Sequence, residues 1–370
     1  MTILCLALLS SCRKGADNAT GLQEITLEPH FVEDALPLCD EFATVEIIPF
    51  ENKTECMLTE VKKLMVTDAG IYVFDASPSP RVLSFRHDGR FKNEIGSRGH
   101  AKGEYQMVLN MGATANGDTV AVVGYPEILL YAANGRYLAS LPVKDNNGVE
   151  DVLFADGRLY LGYFHRQEKS MMSLYESCSM EHVTDMIETP VDPIGASLGV
   201  DNGHLLQEDG GKVYCPDVLN SCFYVCDKSN TGDVSKYSIG LEEMLKEKDV
   251  RDNADTEEKA YRIASYQACD GVVRGVIEHG KGYYDFRFAL SDKTVDIMRH
   301  NDWDYSFDCC HSGSFYTVVS ASTLLDYMDK DKKYMEPVRK LLGNILGEME
   351  GKVSPTDNYY LIKMRLKHNL

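Results

Sequence analysis

The sequence predicts an all-β protein: a six-bladed β-propeller closed by its N- and C-terminal strands, with two helical insertions on one face. Three observations carry this expectation. Two stretches repeat one script about 46 positions apart, the strand-like runs are apolar on both faces, and strand-like segments lie near both ends of the chain.

The first copy runs Gly70-Ile-Tyr-Val-Phe-Asp75, a Pro-broken loop, Val82 to Phe85, then Asp88-Gly89-Arg90-Phe91. The second runs Gly117 to Val123, Gly124-Tyr125-Pro126, Ile128 to Tyr131, then Asn134-Gly135-Arg136-Tyr137. Each reads as strand, loop, strand, tight turn, strand. The favoured two-residue hairpin turn needs positive φ at both central residues, which Asn, Asp and Gly tolerate, so antiparallel neighbours are expected. Ile71 to Phe74, Val120 to Val123, Phe223 to Val225 and Phe315 to Val319 do not alternate with polar residues. Sheets covered on both sides account for that pattern, and radially packed blades supply the cover.

Weaker copies follow at Leu159 to Tyr163 with Met172 to Tyr175, Val213 to Cys215 with Cys222 to Cys226, Val272 to Ile277 with Tyr283 to Leu290, and Phe315 to Val319. An open ring would expose two unpaired sheet edges. Ala43 to Phe50 is therefore expected as the outermost strand beside Tyr359 to Leu366. Residues 241–261 and 323–349 read as helical insertions, the second with Leu324, Tyr327, Val338, Leu341 and Leu342 on apolar stripes. Both are expected at the end of the ring that carries the long loops.

The segment Ile95-Gly-Ser-Arg98-Gly99-His-Ala-Lys-Gly103-Glu104-Tyr105 resembles the Gly-Arg-x-Gly-x-Gly-Pro-Gly-Glu-Tyr motif of the Bacteroidetes-type six-bladed β-propeller lipoproteins, distant relatives of NHL-like propellers. Ala101 and Lys102 stand where that family tends to have Gly and Pro. The resemblance implies a fold and a cellular address, with no activity attached.

The address also has its own residues. Ile3 to Leu9 is too short an apolar run to span a membrane, and Leu9-Ser10-Ser11-Cys12 resembles a bacterial lipobox. Residues 1–11 are thus expected as a signal peptide and Cys12 as the lipidated first residue of the mature chain. Residues 12–41 form a tether and lead-in, and 42–370 the propeller. The resemblance places the protein in the bacterial cell envelope, at the outer membrane, held by lipid alone.

The 370 residues are 44% hydrophobic, enough for one large core, and carry a formal net charge of −19. That charge argues against nucleic acid or an anionic membrane surface as partner, because phosphate would be repelled. A monomer is expected. Of 11 cysteines, Cys5 and Cys12 are removed or lipidated, leaving an odd number that cannot all pair. Buried free thiols are favoured, with Cys215 to Cys222, or Cys309 to another strand, left open as bridges. The run Cys309-Cys310-His311 does not read as a metal site, since neighbouring strand residues point to opposite faces.

Candidate ligand-binding residues fall in the long loops and blade connections. They are Arg98, His100, Glu104 and Tyr105 of the motif, His165 and Arg166, His279, and Trp303, the sole Trp, within Asn301-Asp-Trp-Asp-Tyr305. Each has a plain structural alternative: Glu104 capping backbone amides in a tight connection, or Trp303 wedged between blades. No nucleophile elbow, His-Glu-x-x-His or phosphate loop occurs, and no His or carboxylate pair recurs at equivalent blade positions. The sequence therefore points to no catalytic residue, metal or cofactor. It favours a lipid-anchored module that binds a glycan, peptide or envelope protein, over a hydrolase or lyase with its site in the central channel.

Overall fold

A computed structural model of the chain describes residues 22–32, 38–124, 127–142, 149–163, 170–177, 179–188, 204–217, 222–241, 261–279, 282–299 and 307–367. The expected signal peptide, Cys12 and most of the expected 241–261 insertion lie outside these residues.

β1 (Gln23–Val32), the short helix α1 (Leu38–Glu41) and β2 (Phe42–Pro49) come first. An antiparallel sheet follows from β3 (Val61–Thr67), β4 (Gly70–Asp75), β5 (Arg81–Phe85) and β6 (Phe91–Glu94). A second holds β7 (Val108–Ala113), β8 (Thr119–Gly124), β9 (Glu127–Ala132) and β10 (Tyr137–Pro142). β11 (Val149–Ala155), β12 (Arg158–Tyr163), β13 (Ser170–Glu176) and β14 (His182–Glu188) make a third. Next come β15 (Gln207–Asp209), β16 (Lys212–Asp217), β17 (Cys222–Asp227) and β18 (Val234–Ile239), then β19 (Tyr261–Cys269), β20 (Val272–His279), β21 (Gly282–Ala289) and β22 (Thr294–Arg299). The chain ends with β23 (Cys309–His311), β24 (Ser314–Val319), α2 (Ala321–Met328), α3 (Glu336–Glu348) and β25 (Tyr360–Leu366).

The result is a propeller-like all-β fold. β4 is buried at every residue, as the unbroken apolar run requires. Leading strands touch in succession: β3 against β7, β7 against β11, β11 against β15, β15 against β19, β19 against β23, and β23 against β3. Hydrophobic clusters lie between consecutive sheets. Tyr72, Phe74 and Val82 meet Val120, Val122 and Tyr131 in one of them.

β2 pairs antiparallel with β25 from Phe42 opposite Leu366 to Pro49 opposite Tyr360, in the sheet order β2-β25-β24-β23. The expected partnership of the two chain ends is therefore present.

The lead-in is more than a tether. β1 adds in parallel to β18 through residues 23–27 and then to β22 through residues 28–32, fusing two four-strand units into one nine-stranded sheet. Its alternation supports this: Leu27 is fully buried while Glu24 and Glu28 are not. Pro29 sits just past the changeover.

The turns divide into two kinds. Asp156-Gly157 and Asp270-Gly271 have positive φ at both residues, as a two-residue hairpin demands. At Asp88-Gly89 and Asn134-Gly135 only the glycine does, with φ of 80° in both. There Asp88 and Asn134 instead accept the amides of Arg90 and Arg136 through their side chains, each at 3.1 Å. The two copies of the repeat thus share a turn geometry different from the one expected.

The 323–349 insertion is helical as α2 and α3. Leu324, Tyr327, Val338, Leu341, Leu342 and Leu346 join Phe42, Ile47, Phe315, Val319 and Ile362 in one core. The apolar stripes are spent covering the terminal sheet, and no residue of these helices lines the hollow described below.

Cysteine pairing also differs. Cys269 of β19 and Cys310 of β23 form a disulfide, while Cys215, Cys222 and Cys309 are buried thiols outside any disulfide. Sequence spacing could not reveal this bridge because its partners meet only when two sheets pack.

Candidate functional site

The β6–β7 connection is a loop tied by its own backbone. Tyr105 donates to Ser97 O and accepts from the Gly99 amide, both at 3.0 Å, so residues 99–104 form a closed bend. Tyr105 is 1% exposed and its phenol donates to Glu94. Burial, and next the charge of Glu94, push this phenol's pKa well up. Two glycines permit the bend. Gly96 has φ of 71°, and a Cβ there would stand 2.6 Å from the Tyr131 ring. At Gly99 a Cβ would meet the Glu104 carboxylate at 1.9 Å.

Glu104 therefore serves the loop's own structure, and its Oε2 accepts the Ala101 amide at 2.9 Å. Glu104 and Tyr105, expected as ligand groups, hold the loop together. Lys102 lies 5.9 Å over the Tyr137 ring.

Arg98 and His100 remain exposed, and with Gly99, Gln106 and Met107 they line a hollow of about 330 Å³. The side chains of Arg98, His100 and Gln106 make no hydrogen bond or ion pair among the described residues. Sequence reasoning missed Gln106 and Met107; the available signal was a polar and an apolar residue directly after a buried Tyr. His165, Arg166 and Trp303 lie outside the described residues. His279 ends β20, in register opposite Gly282 and Tyr261.

A second polar cluster sits on the leading strands. A register shift recurs at Val61/Lys63, Val108/Asn110, Val149/Asp151 and Ile263/Ser265, in β3, β7, β11 and β19. After each bulge comes a buried polar residue: Lys63, Asn110, Asp151 or Ser265. Lys63 pairs with Asp151 Oδ1, while Asp151 Oδ2 accepts the Leu206 amide at 2.8 Å. His204 shares a 2.9 Å hydrogen bond with Leu64 O. Burial lowers the Lys63 pKa and raises that of Asp151, and their contact opposes both changes. Burial, with Lys63 nearby, holds His204 well below the usual imidazole range.

This cluster was also unforeseen. Its only trace in the sequence is a pair of adjacent charged residues within each of two apolar runs, Lys62-Lys63 in Val61 to Val66 and Glu150-Asp151 in Val149 to Phe154. Among the described residues no group of three or more His, Cys, Asp or Glu side chains is placed to hold a metal ion.

Comparison with known proteins bears on fold and family. Residues 22–365 match the family described as a domain of unknown function, DUF4934. No curated relative matches the chain in sequence. A protein of Bacteroides fragilis NCTC 9343, described as exported, is 12% identical, with a TM-score of 0.72 over 93% of this chain and 100% of that one. A DUF4221-family member from Bacteroides vulgatus is 8% identical, with a TM-score of 0.53 over 89% of this chain and 99% of that one. At such identities the likeness concerns the fold alone.

Proposed function

We propose, for a chain that belongs to the DUF4934 family, a lipid-anchored cell-envelope binding or scaffold module built on a closed six-bladed, NHL-like propeller. The ligand is a glycan, peptide or envelope protein held at the β6–β7 hollow. One observation carries the reading: around a hollow of about 330 Å³, a guanidinium, an imidazole and an amide have no partner among the described residues. Buried polar groups elsewhere are mostly spent on the fold, as at Asp75, which accepts the amides of Thr59 and Glu60.

The cyclic order of contacts among β3, β7, β11, β15, β19 and β23 supports ring closure. The Leu9 to Cys12 lipobox supports an anchored, exported protein, and a Cys269–Cys310 disulfide fits an oxidising compartment. No helix among the described residues is long and apolar enough to cross a membrane. The reading takes the protein as a monomer at the outer membrane.

Binding is favoured over a channel-centred hydrolase or lyase because the buried carboxylate of Asp151 on β11 and the buried imidazole of His204, just before β15, are already engaged. Asp151 is held by Lys63 and two backbone amides, and a general base needs a free acceptor within reach of substrate.

Glycan and peptide arrays probed with the full chain and with its Arg98→Glu/Met107→Asp variant test this reading. A ligand bound by the native chain and lost in the variant, with the melting temperature unchanged, is expected. Ligands retained by the variant, or none bound by either protein, overturn it.

A further inference from the structure

Resting on the reading of the β6–β7 hollow as a binding site, we infer that it captures the C-terminus of a protein chain whose last side chain is aliphatic. The charge is arranged for a carboxylate. Arg98 presents a fork of donors with no partner among the described residues, the geometry that carboxylates match with two parallel hydrogen bonds. The one acid between Arg98 and Met107 is Glu104, and it is turned onto the Ala101 amide. In a chain of net charge −19, this rim is a local exception that draws in an anion.

The apolar part is aliphatic. Met107 lines the hollow at 49% exposure and Leu109, two residues on, is 50% exposed. A thioether adapts to side chains of varied shape. Tyr105, the aromatic nearest in sequence, is buried and offers no face for a sugar to stack on. Volume narrows the ligand further. About 330 Å³ lies at the small end of ligand pockets and suits one carboxylate and one side chain on the same residue. A chain end meets that description, whereas a folded surface does not.

The test uses the full chain and the peptide Gly-Ser-Gly-Ser-Val-Leu, labelled with fluorescein at its N-terminus, as the free acid and as the C-terminal amide. Anisotropy is expected to show the acid bound about tenfold or more tightly than the amide. Arg98→Gln is expected to bring the acid down to the amide's level, with circular dichroism and melting unchanged. Equal binding of acid and amide, or acid binding that survives Arg98→Gln, overturns the inference. If both peptides are silent while a sugar acid binds the native chain and not Arg98→Gln, this inference falls and the binding role of the rim stands. If nothing binds in an Arg98-dependent way, both fall.

Discussion

Lys63 of β3 and Asp151 of β11 form an ion pair whose side chains are 2% and 0% exposed, joining two sheets separated in the chain by the whole of a third. Asp151 also takes the amides of Val152 and Leu206 at 2.7 and 2.8 Å, so its carboxylate is saturated. The pair costs desolvation, and what it returns is a fixed mutual placement of the leading strands.

Removing one partner is expected to be far worse than neutralising both. Lys63→Met should destabilise the protein by about 3–5 kcal/mol, because a buried carboxylate is left without its cation. Lys63→Met combined with Asp151→Asn should recover much of that loss, since no unpaired buried charge remains and Asn keeps an acceptor for one of the two backbone amides. Urea unfolding of the three proteins measures both effects; equal stability of the single and double variants would refute the account.

Asp308 makes stability depend on pH. Burial raises its carboxyl pKa to about 7 in the folded protein, from an ordinary value of 3.8. The folded state thus favours the protonated form. Its contribution is fully present below about pH 4, declines as pH rises between 4 and 7, and is gone above that. Asp308→Asn retains an acceptor for the Val318 amide and is expected to be more stable than the native chain at pH 8, by roughly 1–3 kcal/mol, with little difference at pH 4. Thermal melts at both values check the sign.

Gly96→Ala is expected to cost about 1–3 kcal/mol, through a left-handed backbone that alanine resists and a clash with Tyr131. The same change should reduce any binding at the hollow, since Gly96 begins the loop that carries Arg98. A melt indistinguishable from that of the native chain would show that the bend relaxes freely.

β1 is expected to protect two sheet edges. Leu27→Ala should cost about 2–4 kcal/mol for a fully buried side chain. Deleting residues 22–32 should uncover β18 and β22 and produce concentration-dependent association, read by size-exclusion chromatography with light scattering. A monomeric, fully stable deletion variant would contradict this role.

Replacing Cys269 and Cys310 together by Ser should lower stability by about 2–4 kcal/mol, given the 41-residue separation the bridge closes. Alkylation without reductant followed by peptide mass mapping should leave these two cysteines unmodified and linked.

Local patterning made the strands legible. The apolar run of β4, the Gly-marked turns and the amphipathic stripes of α2 and α3 follow from near-neighbour chemistry, as do the pairing ends Ala43 to Phe50 and Tyr359 to Leu366. The glycine-rich motif located the β6–β7 loop, yet it did not say which of its side chains face solvent. Arg98 and His100 do, while Glu104 and Tyr105 are consumed by the loop's own hydrogen bonds. That division depends on Tyr131 and Tyr137 arriving from the next sheet, more than 25 residues later.

By itself the sequence determined an all-β chain of repeated strand units, the acidic net charge and the place of the one glycine-rich connection, because period, turn chemistry and composition act over short range. Only the tertiary structure decided that β1 joins two sheets, that Cys269 meets Cys310, that Lys63 finds Asp151 and that α2 and α3 cover the terminal sheet. Each of these pairs residues far apart in the chain, and their contact energy exists only once the sheets have packed around one another.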